Sequence, residues 1–255
     1  MNLMATYVFV HGAWHGSWCW ERVIPLLEKQ GHLVLTVDLP GIDSEKTHDV
    51  SINLQRYTDS VISVIDKANE PVILVGHSMG GIAISQAAER HPEKIKSLIY
   101  VTAYMLKDGE AMLDIIRTDK ESLIAPNLIP CNEGTAFNLK SDKLIDIFYG
   151  SCDQKDIENA VSRITSQPSA VFSERLFLTD ERYGKIPRYY IECLQDRAIT
   201  NECQQDMYHA LPCKKVFTLN TDHSPFYSKH EELAEILLHE DSVYEPSGKT
   251  DVLFD

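Results

Sequence analysis

The chain has 255 residues, 44% of them hydrophobic, enough to bury a sizeable core and compatible with one large α/β domain. Its 24 Lys and Arg stand against 38 Asp and Glu, a formal net charge of -14, so the surface repels phosphate backbones and anionic headgroups, which argues against nucleic-acid and membrane partners. No run approaches the ~18 apolar residues of a membrane span, and the first residues lack a basic segment leading into an apolar one, so a cytoplasmic location is expected.

Residues 7–10 (YVFV) read as an apolar strand ending at His11-Gly12-Ala13. A helix is expected over 18–30, with Trp20, Val23, Ile24 and Leu27 on one face and Gly31 in the C-terminal cap position. Residues 33–37 give a second strand. After a polar loop an amphipathic helix is predicted over 54–68, apolar at Leu54, Tyr57, Val61, Val64, Ile65 and Ala68. The run 71–75 (PVILV) has the length and β-branched content of a buried parallel strand, and 79–90 (MGGIAISQAAER) reads as a helix. Pro92 stops that helix, and 97–101 (SLIYV) is the next strand.

From about 104 to 185 the alternation fails, leaving short helical pieces, Pro126, Pro130, Pro168 and scattered aromatics. It resumes with a strand at 188–193, a helix at 200–210, a strand at 215–219 and a helix at 229–240. This pattern predicts an α/β fold of about six mostly parallel strands flanked by helices. The core is 1–103 and 186–242, an inserted cap occupies 104–185, and 243–255 is a frayed tail. The six cysteines show no C-x-x-C pairing; free thiols are the expected state, with a bridge between Cys131 and Cys152 left open.

Gly76-His77-Ser78-Met79-Gly80 is a G-x-S-x-G stretch between a buried strand and a helix, the setting in which a serine is held on a sharp turn as a nucleophile. A serine hydroxyl attacks at neutral pH only if a base takes its proton, and the base works best when an acid orients it. Such partners belong just past later strands, in the order Ser, Asp or Glu, His. Asp196 follows the strand 188–193 and His223 follows 215–219, directly before the last helix. Glu192, Asp180 and Asp222 are rival acids: the first within its strand, the second before it, the third awkwardly adjacent to the base. His77 and His11 read as buried structural histidines, and His32, His48, His91, His209, His230 and His239 lack the strand-end setting.

Charge developing on a carbonyl oxygen needs fixed N–H donors. Met79, after the nucleophile, and Ala13, after the first strand, are the candidate oxyanion donors, with Gly12 leaving room above the serine. Tyr104, Phe137, Phe148, Phe172, Gly12 and Ser224 are candidate pocket residues. No cofactor and no metal is expected: His11 and His15 are four apart, but Gly12 and Gly16 oppose a ligand-bearing helix, and G-x-G-x-x-G is absent.

The segments FVHGAWHGSWCWERVIPLLEKQGH, VDLPG, ILVGHSMGG, YIECLQDRAI and TDHSPF together resemble the α/β-hydrolase superfamily. They are similar to its branch of plant methylesterases, hydroxynitrile lyases and bacterial carboxylesterases such as pyrethroid hydrolases. The likeness spans almost the whole chain and is weakest in the cap. It implies a Ser78, Asp196 and His223 triad, oxyanion donors Ala13 and Met79, and a small-molecule ester as substrate. The lyases carry threonine where this chain has Gly12 and lysine where it has Ser224, so esterase chemistry is expected over cyanohydrin cleavage. Ser224 also departs from the apolar residue often found there in plant methylesterases. A ligand receptor that keeps the hydrolase pocket is the alternative from another class, and a homodimer is left open.

Overall fold

The computed structural model describes residues 4–42 and 51–243. Strand β1 (Thr6–Val10) is buried from Tyr7 onward, as a strand covered on both faces must be. The helix expected over 18–30 is instead two pieces, a 3-10 turn over Ser17–Trp20 and α1 (Ile24–Lys29). Pro25 accounts for the break. Its ring lacks an N–H and clashes with the carbonyl four residues back, so a helix can start there but cannot run through. Strand β2 (Leu33–Val37) follows Gly31, whose φ of +89° suits glycine.

Helix α2 (Leu54–Ile65) starts where the Asn53 side chain accepts the Arg56 N–H at 2.9 Å, and it ends three residues before the expected limit. Strand β3 (Val72–His77) is buried throughout and runs two residues beyond the apolar stretch. Helix α3 (Gly80–Arg90) and strand β4 (Ile95–Val101) follow.

The inserted segment holds α4 (Met112–Thr118), β5 (Leu128–Cys131), β6 (Ala136–Leu139), α5 (Leu144–Phe148), α6 (Gln154–Val161) and β7 (Gln167–Pro168). The strands β5, β6 and β7 form a small antiparallel sheet in that order, which the sequence pattern did not announce. They are too short to show a period, and Pro130 and Pro168 sit in the two outer strands, where a missing donor is tolerated. Strand β8 (Arg188–Cys193), α7 (Asn201–Ala210), β9 (Lys215–Leu219), α8 (Pro225–Ser228) and α9 (His230–Val243) complete the chain. The frayed tail expected over 243–255 lies, beyond Val243, outside the described residues, as do 1–3 and 43–50.

The main sheet has the order β2-β1-β3-β4-β8-β9, with every pair parallel. All six strands therefore end at one edge, where ligands bind in sheets of this kind. Because β4 and β8 are neighbours, the insertion leaves and rejoins the sheet at one place. In the core, the Trp20 ring lies 4.6 Å from Phe9 and 5.5 Å from Phe226, and the Tyr7 hydroxyl donates to the Leu237 carbonyl at 2.9 Å. All six cysteines are free, Cys131 and Cys152 included. Among the described residues no helix is long and apolar enough to cross a membrane.

Candidate active site

Ser78 stands between β3 and α3 with φ +52°, a left-handed conformation that is uncommon for a residue with a side chain. Three backbone bonds hold it there: its N–H donates to the Val101 carbonyl (3.3 Å), and its carbonyl accepts the N–H groups of Gly81 and Tyr104 (3.0 Å each). The glycines around it are steric necessities. A Cβ on Gly76 would lie 2.9 Å from Ile84 Cδ1, and one on Gly80 would lie 2.7 Å from the Val10 carbonyl oxygen. Gly12 faces the serine so closely that a Cβ there would lie 2.7 Å from Ser78 Cβ and 2.8 Å from His77 Nδ1.

Past β8 and β9, the His223 ring meets Asp196: Nδ1 lies 2.6 Å from Oδ2, and both side chains are buried. With Nδ1 donating, Nε2 is the basic nitrogen of the ring. Asp196 is itself fixed, Oδ2 accepting the Thr102 hydroxyl and Oδ1 accepting the N–H groups of Ala198 (2.7 Å) and Ile199 (3.0 Å). The rival acids are engaged elsewhere. Glu192 accepts from Asn201, Tyr208 and Thr218, while Asp222 accepts the N–H groups of Ser151 (2.8 Å) and Ser224 (3.0 Å). Asp180 lies beside Gly184.

The His77 ring ties the serine turn to the loop of His223. Its Nε2–H donates to the His223 carbonyl at 2.8 Å, and the two rings are 4.6 Å apart. Among the described residues the Ser78 hydroxyl makes no hydrogen bond to His223, whose hydrogen bonds are to Asp196 through the ring and to His77 through the carbonyl.

Beneath Ala13 two further histidines act on the backbone. His11 Nε2 accepts the Leu39 N–H (3.0 Å) and its Nδ1–H donates to the Gly12 carbonyl (2.8 Å). Since the C=O and N–H of a trans peptide point oppositely, that bond turns the Ala13 N–H to the other side. His15 donates from Nδ1 to the Ala13 carbonyl (2.8 Å) and accepts the Tyr149 hydroxyl at Nε2 (2.7 Å). Burial holds all three rings neutral, pushing the His15 pKa down to about 3 and those of His11 and His77 below the usual range. Sequence reasoning assigned His15 no function. Its place four residues after His11 was visible, but nothing showed that both rings serve the backbone between them.

A small cavity of about 10 Å³, room for about one water molecule, opens on Ser78. Of the candidate pocket residues, Tyr104, Phe148 and Phe172 line it; so do Ala13 and Met79, together with Trp14, Met112, Ile116, Ile124, Ala198 and Ile199, which the sequence did not single out. Phe137, Gly12 and Ser224 are not on that lining. Phe137 stands behind Phe172, ring centres 5.4 Å apart, while Ser224 is buried where α8 begins. A larger cavity, about 470 Å³, lies between the α4 and α7 segments, but neither Ser78 nor His223 borders it. Among the described residues no cluster of three or more His, Cys, Asp or Glu could hold a metal ion.

A profile of the alpha/beta hydrolase family matches residues 7–236. The chain belongs to this family. Among curated proteins, it is 36% identical over 245 residues to putative methylesterase 11, chloroplastic, of Arabidopsis thaliana, covering 91% of this chain and 63% of that one. The chain thus spans less than two thirds of that relative. It is 30% identical over 250 residues to methylesterase 2 of the same plant, covering 91% of this chain and 94% of the relative. Among solved structures, the pyrethroid hydrolase of Sphingobium faniae JZ-2 superposes with a TM-score of 0.84 at 28% identity, covering 94% of this chain and 98% of that one.

Proposed function

We propose that this hydrolase cleaves carboxylic esters through an acyl-enzyme on Ser78. The observation that carries the reading is the buried 2.6 Å contact of His223 with Asp196, next to a serine at φ +52° that borders an apolar cavity. In the first half-reaction the Ser78 hydroxyl attacks the ester carbonyl while His223 Nε2 takes its proton, and Asp196 stabilises the imidazolium. The negative oxygen is held by the N–H groups of Ala13 and Met79. Collapse expels the alcohol, which takes the proton from His223. A water activated by the same nitrogen then attacks the acyl group, and the acid leaves with Ser78 restored.

Residues 104–185 act in this reading as the cap over the site, supplying Phe148, Phe172, Met112, Ile116 and Ile124 to a small apolar pocket. The free cysteines support a reducing compartment such as the cytosol. Methylesterase relatives and the pyrethroid hydrolase support ester chemistry. Gly12, which admits no side chain, opposes the lyase alternative, and no cyanide release is expected from acetone cyanohydrin.

The deciding experiment is hydrolysis of p-nitrophenyl acetate or butyrate. Ser78→Ala should lower turnover by at least about 1000-fold. An equally active Ser78→Ala protein refutes the mechanism.

A further inference from the structure

Trp14 is a further strained residue at the site, beside Ser78 and Thr102: a bulky aromatic held at φ +62°. Such a conformation persists only where the surroundings over-determine it, and here the surroundings belong to the inserted segment. The Trp14 N–H donates to Gln167 Oε1 (3.3 Å), its carbonyl accepts the Thr165 N–H (3.2 Å), and its indole N–H donates to the Phe137 carbonyl (2.9 Å). The Gln167 amide is anchored in turn, its Nε2 donating to the Tyr57 hydroxyl at 2.8 Å. One residue on, Tyr149 from the same segment donates to His15, and His15 donates to the Ala13 carbonyl.

The peptide linking Ala13 and Trp14 is therefore gripped at both ends, by His15 at its oxygen and Gln167 at its N–H. His11 grips the preceding peptide. With both flanking planes fixed, so is the direction of the Ala13 N–H. Neither Tyr149 nor Gln167 lines the cavity. Burial keeps the Tyr149 phenol a hydrogen-bond donor and His15 a neutral acceptor.

We propose that Tyr149 and Gln167 are positioning residues for the oxyanion donor Ala13, Tyr149 acting through His15 and Gln167 through the strained Trp14 peptide. Seating of the cap thereby sets the geometry in which the tetrahedral intermediate is held. This rests on the hydrolase reading above.

The test uses full-length protein and p-nitrophenyl butyrate, with wild type and Ser78→Ala run alongside. Tyr149→Phe should lower kcat about 10- to 100-fold with KM within about twofold, the signature of a donor displaced from the transition state only. Affinity for a trifluoromethyl ketone, which forms the tetrahedral adduct, should fall by the same factor, while affinity for butyrate stays unchanged. Gln167→Leu should act in the same direction, which covers the case in which one variant folds poorly. Unchanged kcat and ketone affinity in both variants would overturn the proposal. So would losses shared equally by ketone and butyrate, which mark general loosening. Ser78-independent hydrolysis by the wild type sinks the underlying reading, whereas Ser78-dependent hydrolysis that ignores both substitutions sinks this inference alone.

Discussion

Asp196 receives only donors: the imidazole and the Thr102 hydroxyl on one oxygen, two backbone N–H groups on the other. An asparagine cannot satisfy that set, because its amide nitrogen must face donors on one side or the other. If the amide turns toward His223, the ring loses its proton acceptor at Nδ1 and with it the tautomer that leaves Nε2 basic. Asp196→Asn should therefore reduce kcat by about 1000- to 10,000-fold with little effect on KM. Steady-state kinetics on the purified variant decides, and a loss below tenfold would mean that another acid serves His223. Asp222 is the residue to compare, since its carboxylate joins Ser151 of the insertion to Ser224 and Ser228 beside the base.

The elements differ in how plainly the sequence announced them. Strand β3 and helix α3 were legible because an unbroken apolar run meets a small-residue helix with glycines at the joint. The partnering of Asp196 with His223 was legible from their places just beyond β8 and β9. Pro25 was visible too, but the apolar face of Trp20, Val23, Ile24 and Leu27 concealed its effect on the helix around it. Strands β5 to β7 were not legible, since two to four residues cannot display an alternation and their pairing is decided by contacts distant in sequence. Gly81, beside Gly80, gave no sign of its packing role in the sequence, yet among the described residues it is the glycine with the least room. A Cβ there would lie 2.3 Å from the Tyr104 carbonyl oxygen, so α3 approaches the strand exit at backbone distance. Gly81→Ala should destabilise the protein by about 1 to 3 kcal/mol, despite alanine's better helix propensity. Thermal or urea unfolding reads this directly, and a more stable variant would contradict the packing described.

At the scale of the whole molecule, the buried histidines link stability to pH. His15 stays neutral in the folded protein until about pH 3, whereas in the unfolded chain it takes a proton near 6.5. The unfolded state then binds more protons over that window, so stability rises with pH across it and falls on acidification. Between pH 7 and pH 5 His15 alone should cost about 2 kcal/mol of folding stability. His11 and His77 act in the same direction. Urea unfolding at the two pH values should show the loss, and the ring resonances of His15 should not titrate between pH 5 and 8. A midpoint near 6.5 for those resonances would refute the buried, neutral assignment.

The adjacency of β4 and β8 across a long insertion has a consequence for how the molecule comes into being. The hydroxyl lies on the half made first, the imidazole and carboxylate on the half made last. A ribosome must finish β9 and the loop after it before the three groups share one polypeptide. Neither half carries the complete set, so on the proposed mechanism a chain that stops between β4 and β8 should show no ester hydrolysis.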